Sequence, residues 1–302
     1  MKHGVAVFLV AISTPAIVAA QDISGGVTLG FGDHSISGID QDMTTASLDG
    51  RVNLAFANGV TMGVEGGYVD IGVDGVSSNI SAHFVGVSLG YRMANGFSFG
   101  AYAEQLTGQV SGLPIDLSLK SIGAELGYET GNLGLGLQVG RTSVSPDIGV
   151  EADTLGLTAK YAAAPNLDIA GAFLRANISV GGSDTDVDLL GVAAAYDINE
   201  QFSLFGGVSK TSVGDIDVDF TTVGLGVGYD LSEMAGIAST VSLEVARTDI
   251  SLGGSSEDLD SVRLGLTFPL GEKGTEAPLN SVADSIFNPR AGAINAALTG
   301  AF

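Results

Sequence analysis

Apolar residues recur at every second position along most of this chain, in runs broken by short polar turns. Leu133, Leu135, Leu137 and Val139 alternate with Gly134, Gly136, Gln138 and Gly140. Val223, Leu225, Val227 and Tyr229 alternate with Gly224, Gly226 and Gly228. Val262, Leu264, Leu266 and Phe268 alternate with Ser261, Arg263, Gly265 and Thr267. A period of two puts each set on its own face of a strand. Residues 89–100, LGYRMANGFSFG, place Asn95 and Gly96 between two such runs, a strong hairpin signal. Related units begin at Ala55, Leu126, Lys160, Ala195 and Gly228.

An aromatic closes each strand before the turn: Phe56, Tyr91, Tyr128, Tyr161, Tyr196, Tyr229 and Phe268. Their spacings of 35, 37, 33, 35, 33 and 39 leave room for one up-and-down hairpin per repeat. Seven repeats predict fourteen strands, the first over about 23–31, the second over about 46–56 and the last over 259–268. Turns after the aromatic ends read as short (57–59, 93–96, 129–132, 162–166, 197–201), with 230–238 longer. The opposite connections read as longer and acidic, as at 181–186 and 214–219. One strand face is large and apolar; the other is glycine, serine and threonine with isolated charges. A soluble sandwich would turn its charged face to water and its large residues inward. The reverse arrangement predicts an all-β transmembrane antiparallel up-and-down barrel of 14 strands, with 16 as the alternative.

Composition narrows the setting. Residues 1–20 read as a cleaved secretory signal: Lys2 and His3, an apolar run, then Val18, Ala19 and Ala20. That run is too short to cross a bilayer as a helix. Cysteine is absent and glycine numbers 45 of 302, so pairing and burial, not disulfides, must hold an exported chain. The seven prolines avoid the predicted strands, as a hydrogen-bonded ladder requires. Outside the signal the chain carries 11 basic and 34 acidic residues, a net of −23, which argues against a nucleic-acid partner.

These features together resemble the Gram-negative outer-membrane β-barrel proteins, porins in particular. The residues that carry the resemblance are the signal, the alternating strands and the aromatic series. It implies a location in the bacterial outer membrane, contact with its lipid and lipopolysaccharide, and delivery by the barrel assembly machinery. That machinery commonly reads a terminal aromatic. Phe268 fits, yet 34 residues follow it, and Phe302 ends a second run with Ile294, Ala296 and Leu298 in phase. The organisation expected is a signal at 1–20, a barrel at 21–270 and a periplasmic C-terminal tail at 271–302, which supplies two more strands in the 16-strand alternative.

Glycine-rich inner faces predict a water-filled pore for passive diffusion of small hydrophilic solutes and ions. Asp49, Arg51, Glu65, Glu104, Glu125 and Glu244 fall on the inward parity near mid-barrel, with Arg92, Lys160 and Arg263 nearer the turns. These nine are the candidate pore-lining residues; the alternative is that they pair and merely solvate the lumen. The acidic mouth predicts mild cation selectivity. Lys120, Arg141, Arg175, Lys210 and Arg247 fall on the lipid-facing parity at one height. They form a candidate belt for lipopolysaccharide phosphates, or a snorkelling rim with no ligand. The strings Asp184, Asp186, Asp188 and Asp215, Asp217, Asp219 lack the glycine and distal glutamate of a Ca²⁺ loop, so no metal or cofactor is expected. His34, beside Asp33 in an expected surface loop near Asp40 and Asp42, and His83, near Ser81, are the candidates for a hydrolase. No Gly-x-Ser-x-Gly element accompanies them, and an enzyme is not expected. A structural or adhesive barrel with a closed lumen is the competing class. A homo-oligomer is left open.

Overall fold

The computed structural model describes residues 20–38, 41–76, 79–111, 116–214, 218–271 and 274–290. Residues 1–19 of the expected signal, Asp40, Asp215, Asp217 and the second aromatic-ended run at 294–302 lie outside them. Fourteen strands run in sequence order: β1 (Ala20–Ile36), β2 (Asp42–Phe56), β3 (Val60–Val73), β4 (Ile80–Arg92), β5 (Phe97–Val110), β6 (Asp116–Thr130) and β7 (Leu133–Ser145). The second half holds β8 (Val150–Ala164), β9 (Leu167–Val180), β10 (Ser183–Asp197), β11 (Phe202–Val213), β12 (Val218–Asp230), β13 (Thr240–Leu252) and β14 (Ser255–Pro269). Each strand pairs antiparallel with its neighbours, and β1 with β14 closes the barrel from Gly26 opposite Pro269 to Ile36 opposite Leu259. Closure removes both sheet edges, which is what a sheet surrounded by hydrocarbon requires.

The two faces separate as the alternation predicts. Leu89, Ile122, Leu126, Leu190, Val192, Leu225 and Leu264 point outward and are exposed. Their strand neighbours Ser121, Ala193, Thr222 and Arg263 point inward and are buried. At the end carrying Ala20 and Pro269, aromatic pairs stack across strands: Phe97 with Tyr128 at 4.6 Å and Phe202 with Tyr229 at 4.9 Å between ring centroids. Such an aromatic girdle suits the level of lipid headgroups.

The far-end connections depart from expectation. They are not long acidic loops, because the strands run on through the residues assigned to them; β1 has 17 residues and β10 has 15. Gly181–Gly182 and Gly253–Gly254 are two-residue turns with both φ positive, the conformation whose twist matches a hairpin and which glycine supplies without strain. Asp184, Asp186 and Asp188 therefore lie on β10, and Asp219 on β12. A short helix, α1 (Ser232–Ala235), fills the longest near-end turn.

The larger departure is the C-terminal segment. The sequence pattern places 271–302 outside the barrel, whereas residues 274–290 lie inside it. At Pro269 the chain turns back: Leu270 N–H donates to Gly25 O and Gly25 N–H to Gly274 O, each at 2.9 Å. Gly271 sits at φ 72°, and an added Cβ there would strike the Ile23 carbonyl, so only glycine permits the reversal. The segment then forms α2 (Val282–Phe287) against β9 to β12. Ser281 caps it, its hydroxyl accepting from Asp284 N–H at 3.1 Å. Val282, Ala283, Ile286 and Phe287 join Ala170, Ala172, Leu174, Leu189 and Phe205 from the inward faces in one apolar core.

Glycines of the barrel wall make this fit possible. An added Cβ would lie 2.7 Å from Val282 at Gly224, and 2.8 Å from Ile286 at both Gly191 and Gly207. Gly224→Val is expected to leave the barrel intact, read by heat-modifiable migration in a denaturing gel, while exposing residues 274–290 to limited proteolysis. Protection equal to that of the unaltered chain would contradict this packing.

Candidate lumen site

All nine candidate pore-lining residues face inward, but several hold the C-terminal segment instead of lining open water. Arg51 on β2 forks onto Asp284 of α2, with Nη1 to Oδ1 at 3.0 Å and Nη2 to Oδ2 at 2.6 Å. Its Nε is 3.9 Å from Glu65. Glu244 accepts from Val282 N–H at 3.0 Å, and its other oxygen meets Arg263 Nη1 at 3.4 Å. Lys160 Nζ donates to Glu276 at 3.1 Å and to Asn288 Oδ1 at 2.8 Å. Asp49 lies 3.8 Å from Arg290, whose guanidinium stacks 4.0 Å above the Phe84 ring, a favourable cation–π geometry. Arg92 pairs with Glu129 at 2.9 Å at the exposed near end. Glu104 and Glu125 face the remaining space.

Burial alone would raise the Glu276 carboxyl, but the Lys160 ammonium and a backbone hydrogen bond outweigh it and hold the group below the ordinary carboxylate range. A lowered value means that this contact stabilises the seated segment above that range and is lost as pH falls through it.

That space is divided in two by the segment. The near chamber, about 370 Å³, is lined by Asn53, Ser88, Glu104, Glu125, Gln138 and Thr158. The far chamber, about 470 Å³, has a wall of Val69, Ile71, Ala82, Phe84, Leu106 and Leu119. Arg51, Glu65 and Asn288 line both chambers. The apolar wall corrects the expectation of an inner face made only of small and polar residues. It arises because inward residues at the far ends of β3 to β6 are large. Ser281 three residues before Asp284, ahead of Ile286 and Phe287, is a helix-start signal that the strand periodicity of the rest of the chain masks.

The outward basic residues are also engaged. Arg141 forks onto Asp153 at 2.8 and 3.2 Å, Arg175 onto Asp188 at 2.6 Å twice, and Arg247 onto Asp260 at 2.6 and 2.8 Å. Lys210 meets Asp219 at 2.9 Å. Each acid is supplied by the next strand, and Glu151 and Asp258 add a second carboxylate near Arg141 and Arg247. Lys120 is exposed on the same face of β6. The belt is thus largely a collar of ion pairs.

His34 is not in a loop. It lies inside the barrel on β1, 1 % exposed, with Nδ1 2.8 Å from Ser261 Oγ and Nε2 3.0 Å from Thr45 Oγ1. Both ring nitrogens are satisfied by hydroxyls, so the imidazole braces three strands. His83 is exposed on the outward face of β4.

A closed fourteen-strand barrel with apolar exterior, aromatic girdle and charged interior defines an outer-membrane barrel protein. The sequence model of the Gram-negative porin family matches residues 12–215, more than half of the chain, and the chain belongs to that family. This places it in the bacterial outer membrane. No curated protein matches it in sequence. Among solved structures it is similar to a TodX monoaromatic hydrocarbon channel mutant, with TM-score 0.59 and 11% identity over 86% of this chain and 93% of that one. It is also similar to a Pseudomonas aeruginosa FadL homologue, with TM-score 0.55 and 12% identity over 85% and 93%. An anion-selective porin from Comamonas acidovorans gives TM-score 0.51 and 11% identity over 82% and 99%. At these identities the likeness is one of fold.

The Arg51–Asp284 fork is buried, at 14% and 5% side-chain exposure. Asp284→Leu should destabilise the seated segment by up to about 3 kcal/mol, because Arg51 loses its fork and keeps only the longer contact to Glu65. The double variant Arg51→Met with Asp284→Leu should recover much of that loss. Proteolytic release of residues 274–290 reports both; equal release from the single and double variants would contradict the fork's role.

Proposed function

We propose that this porin-family chain is an outer-membrane channel for small hydrophilic solutes and ions, with a path that runs beside the C-terminal segment. The far chamber opens toward the cell exterior and the near chamber toward the periplasm. The observation that carries this reading is that two cavities lie on either side of Arg51, Glu65 and Asn288, so the β2–β8 side of the lumen is not filled by the segment. Glu65, Glu104 and Glu125 line the near chamber, while its cations Arg51 and Lys160 are held by Asp284, Glu276 and Asn288. Three carboxylates against two cations around this chamber favour mild cation selectivity.

A second reading concerns the substrate. The apolar wall around Phe84, Leu106 and Leu119 favours solutes with a small apolar part, the class named for the monoaromatic hydrocarbon channels of similar fold. Phe84→Ser with Leu106→Ser would then slow flux of an aromatic alcohol into liposomes while sparing glycerol. Equal effects on both solutes would remove this reading.

Lipopolysaccharide contact belongs to the same proposal in altered form. The collar of Arg141, Arg175, Lys210 and Arg247 meets headgroups as paired charges, with the surplus carboxylates beside them. Basic side chains free for phosphate are then few, and changing all four to Gln is expected to alter co-purifying lipopolysaccharide only slightly.

The channel reading is tested by planar-bilayer conductance in a salt gradient. The reversal potential should show cation preference at low salt, shrinking as salt rises because charges are screened within about 8 Å at physiological ionic strength. Glu104→Gln with Glu125→Gln should move it toward zero. Anion preference at low salt, or no response to the double change, would overturn the selectivity proposed.

A further inference from the structure

We infer that residues 274–290 are a displaceable segment that holds the channel in a low-conductance state, with the inward surface of β9 to β12 as its seat. The inference rests on the channel reading above and concerns how that channel is regulated. Three features of the lumen carry it.

The segment is anchored by its backbone at the root and through side chains beyond it. Leu270 and Gly274 are tied to Gly25 by backbone hydrogen bonds, and Gly271 and Gly274 both take positive φ. Past Gly274, among the described residues, no backbone–backbone hydrogen bond joins the segment to a strand. Side chains make the contacts instead, so the segment can leave without breaking any strand pairing.

Helix α2 lies against β9, β10, β11 and β12; on the opposite side the segment meets the wall through side chains, Asp284 with Arg51 and Arg290 with Asp49 and Phe84, with the two chambers around them. Residues Leu279, Ser281, Asp284, Ser285 and Arg290 also line the far chamber, so a solute held there touches the segment directly.

The seat is specific. Gly191, Gly207 and Gly224 leave room that Ile286 and Val282 fill. Arg51, Glu244 and Lys160 supply a charge partner for Asp284, a hydrogen-bond acceptor for Val282 N–H and a charge partner for Glu276. Three points of charge or hydrogen-bond recognition, on β2, β8 and β13, surround the hydrophobic patch on β9 to β12 and specify one docked position. Release would expose the buried patch of Val282, Ala283, Ile286 and Phe287 while leaving the hydrogen-bonded ladder of the barrel whole.

The chain has no cysteine, so a tether can be introduced cleanly. An added Cβ at Gly30 would lie 3.3 Å from Asn280 Cγ, within reach of a disulfide. The variant Gly30→Cys with Asn280→Cys, in planar bilayers, should show a single low conductance level when oxidised and larger openings after reduction. The variant Ile286→Asp, which unseats the helix without a tether, should raise mean conductance severalfold. Equal conductance of the oxidised, reduced and Ile286→Asp proteins would overturn the inference while leaving the channel reading standing. No conductance from any of them would overturn the channel reading and this inference together.

Discussion

Closure of β1 onto β14 is the constraint from which the rest of this molecule follows. In hydrocarbon no backbone N–H or C=O can turn to water, so a sheet must have no edges. Once closed, the sheet has an inside, and its alternation must serve two solvents at once. Large apolar residues face lipid, while glycine, serine, threonine and the charges face inward. Small inward residues leave a cavity, and a cavity of this size is then open to water or to another part of the chain.

Here the chain itself takes part of that cavity. The reversal after β14 needs a glycine at 271, since a side chain would meet the Ile23 carbonyl. The docking of α2 needs small residues opposite Val282 and Ile286. Charges that would otherwise create a field across an open pore find partners on the segment: Arg51 with Asp284, and Lys160 with Glu276. The same residues that a pore would use for selectivity therefore also position the occupant. What remains open is the β2–β8 side, where Glu104 and Glu125 shape one chamber and Phe84 and Leu106 the other. In the channel proposed, solute preference follows from this remnant and not from the barrel's full bore.

Barrel, strand number and facing were legible in the sequence because each depends on local periodicity. Leu133 to Val139, or Val223 to Tyr229, can satisfy lipid in only one way, and the aromatic spacing counts the hairpins. Strand ends were less legible. Alternation fades in Asp184, Asp186 and Asp188, yet those residues still pair, since backbone bonding does not require apolar side chains. The interior was least legible. An inward charge has the same parity whether it meets water or Asp284, and the fit of Gly224 to Val282 depends on residues 58 positions apart. The ion-pair collar was missed for the same reason: Arg141 was visible on its strand, but its partner Asp153 lies on the next one.

The central claim is that the C-terminal segment sits within the barrel, held by inward charges. Zero-length carbodiimide cross-linking of intact outer membranes, read by peptide mass spectrometry, tests it directly, because it joins an amine to a carboxylate only when the two touch. Lys160 Nζ lies 3.1 Å from Glu276, so a Lys160–Glu276 cross-linked peptide is the result this account predicts. Its absence, with Glu276 instead freely modified by an added water-soluble amine, would contradict the account.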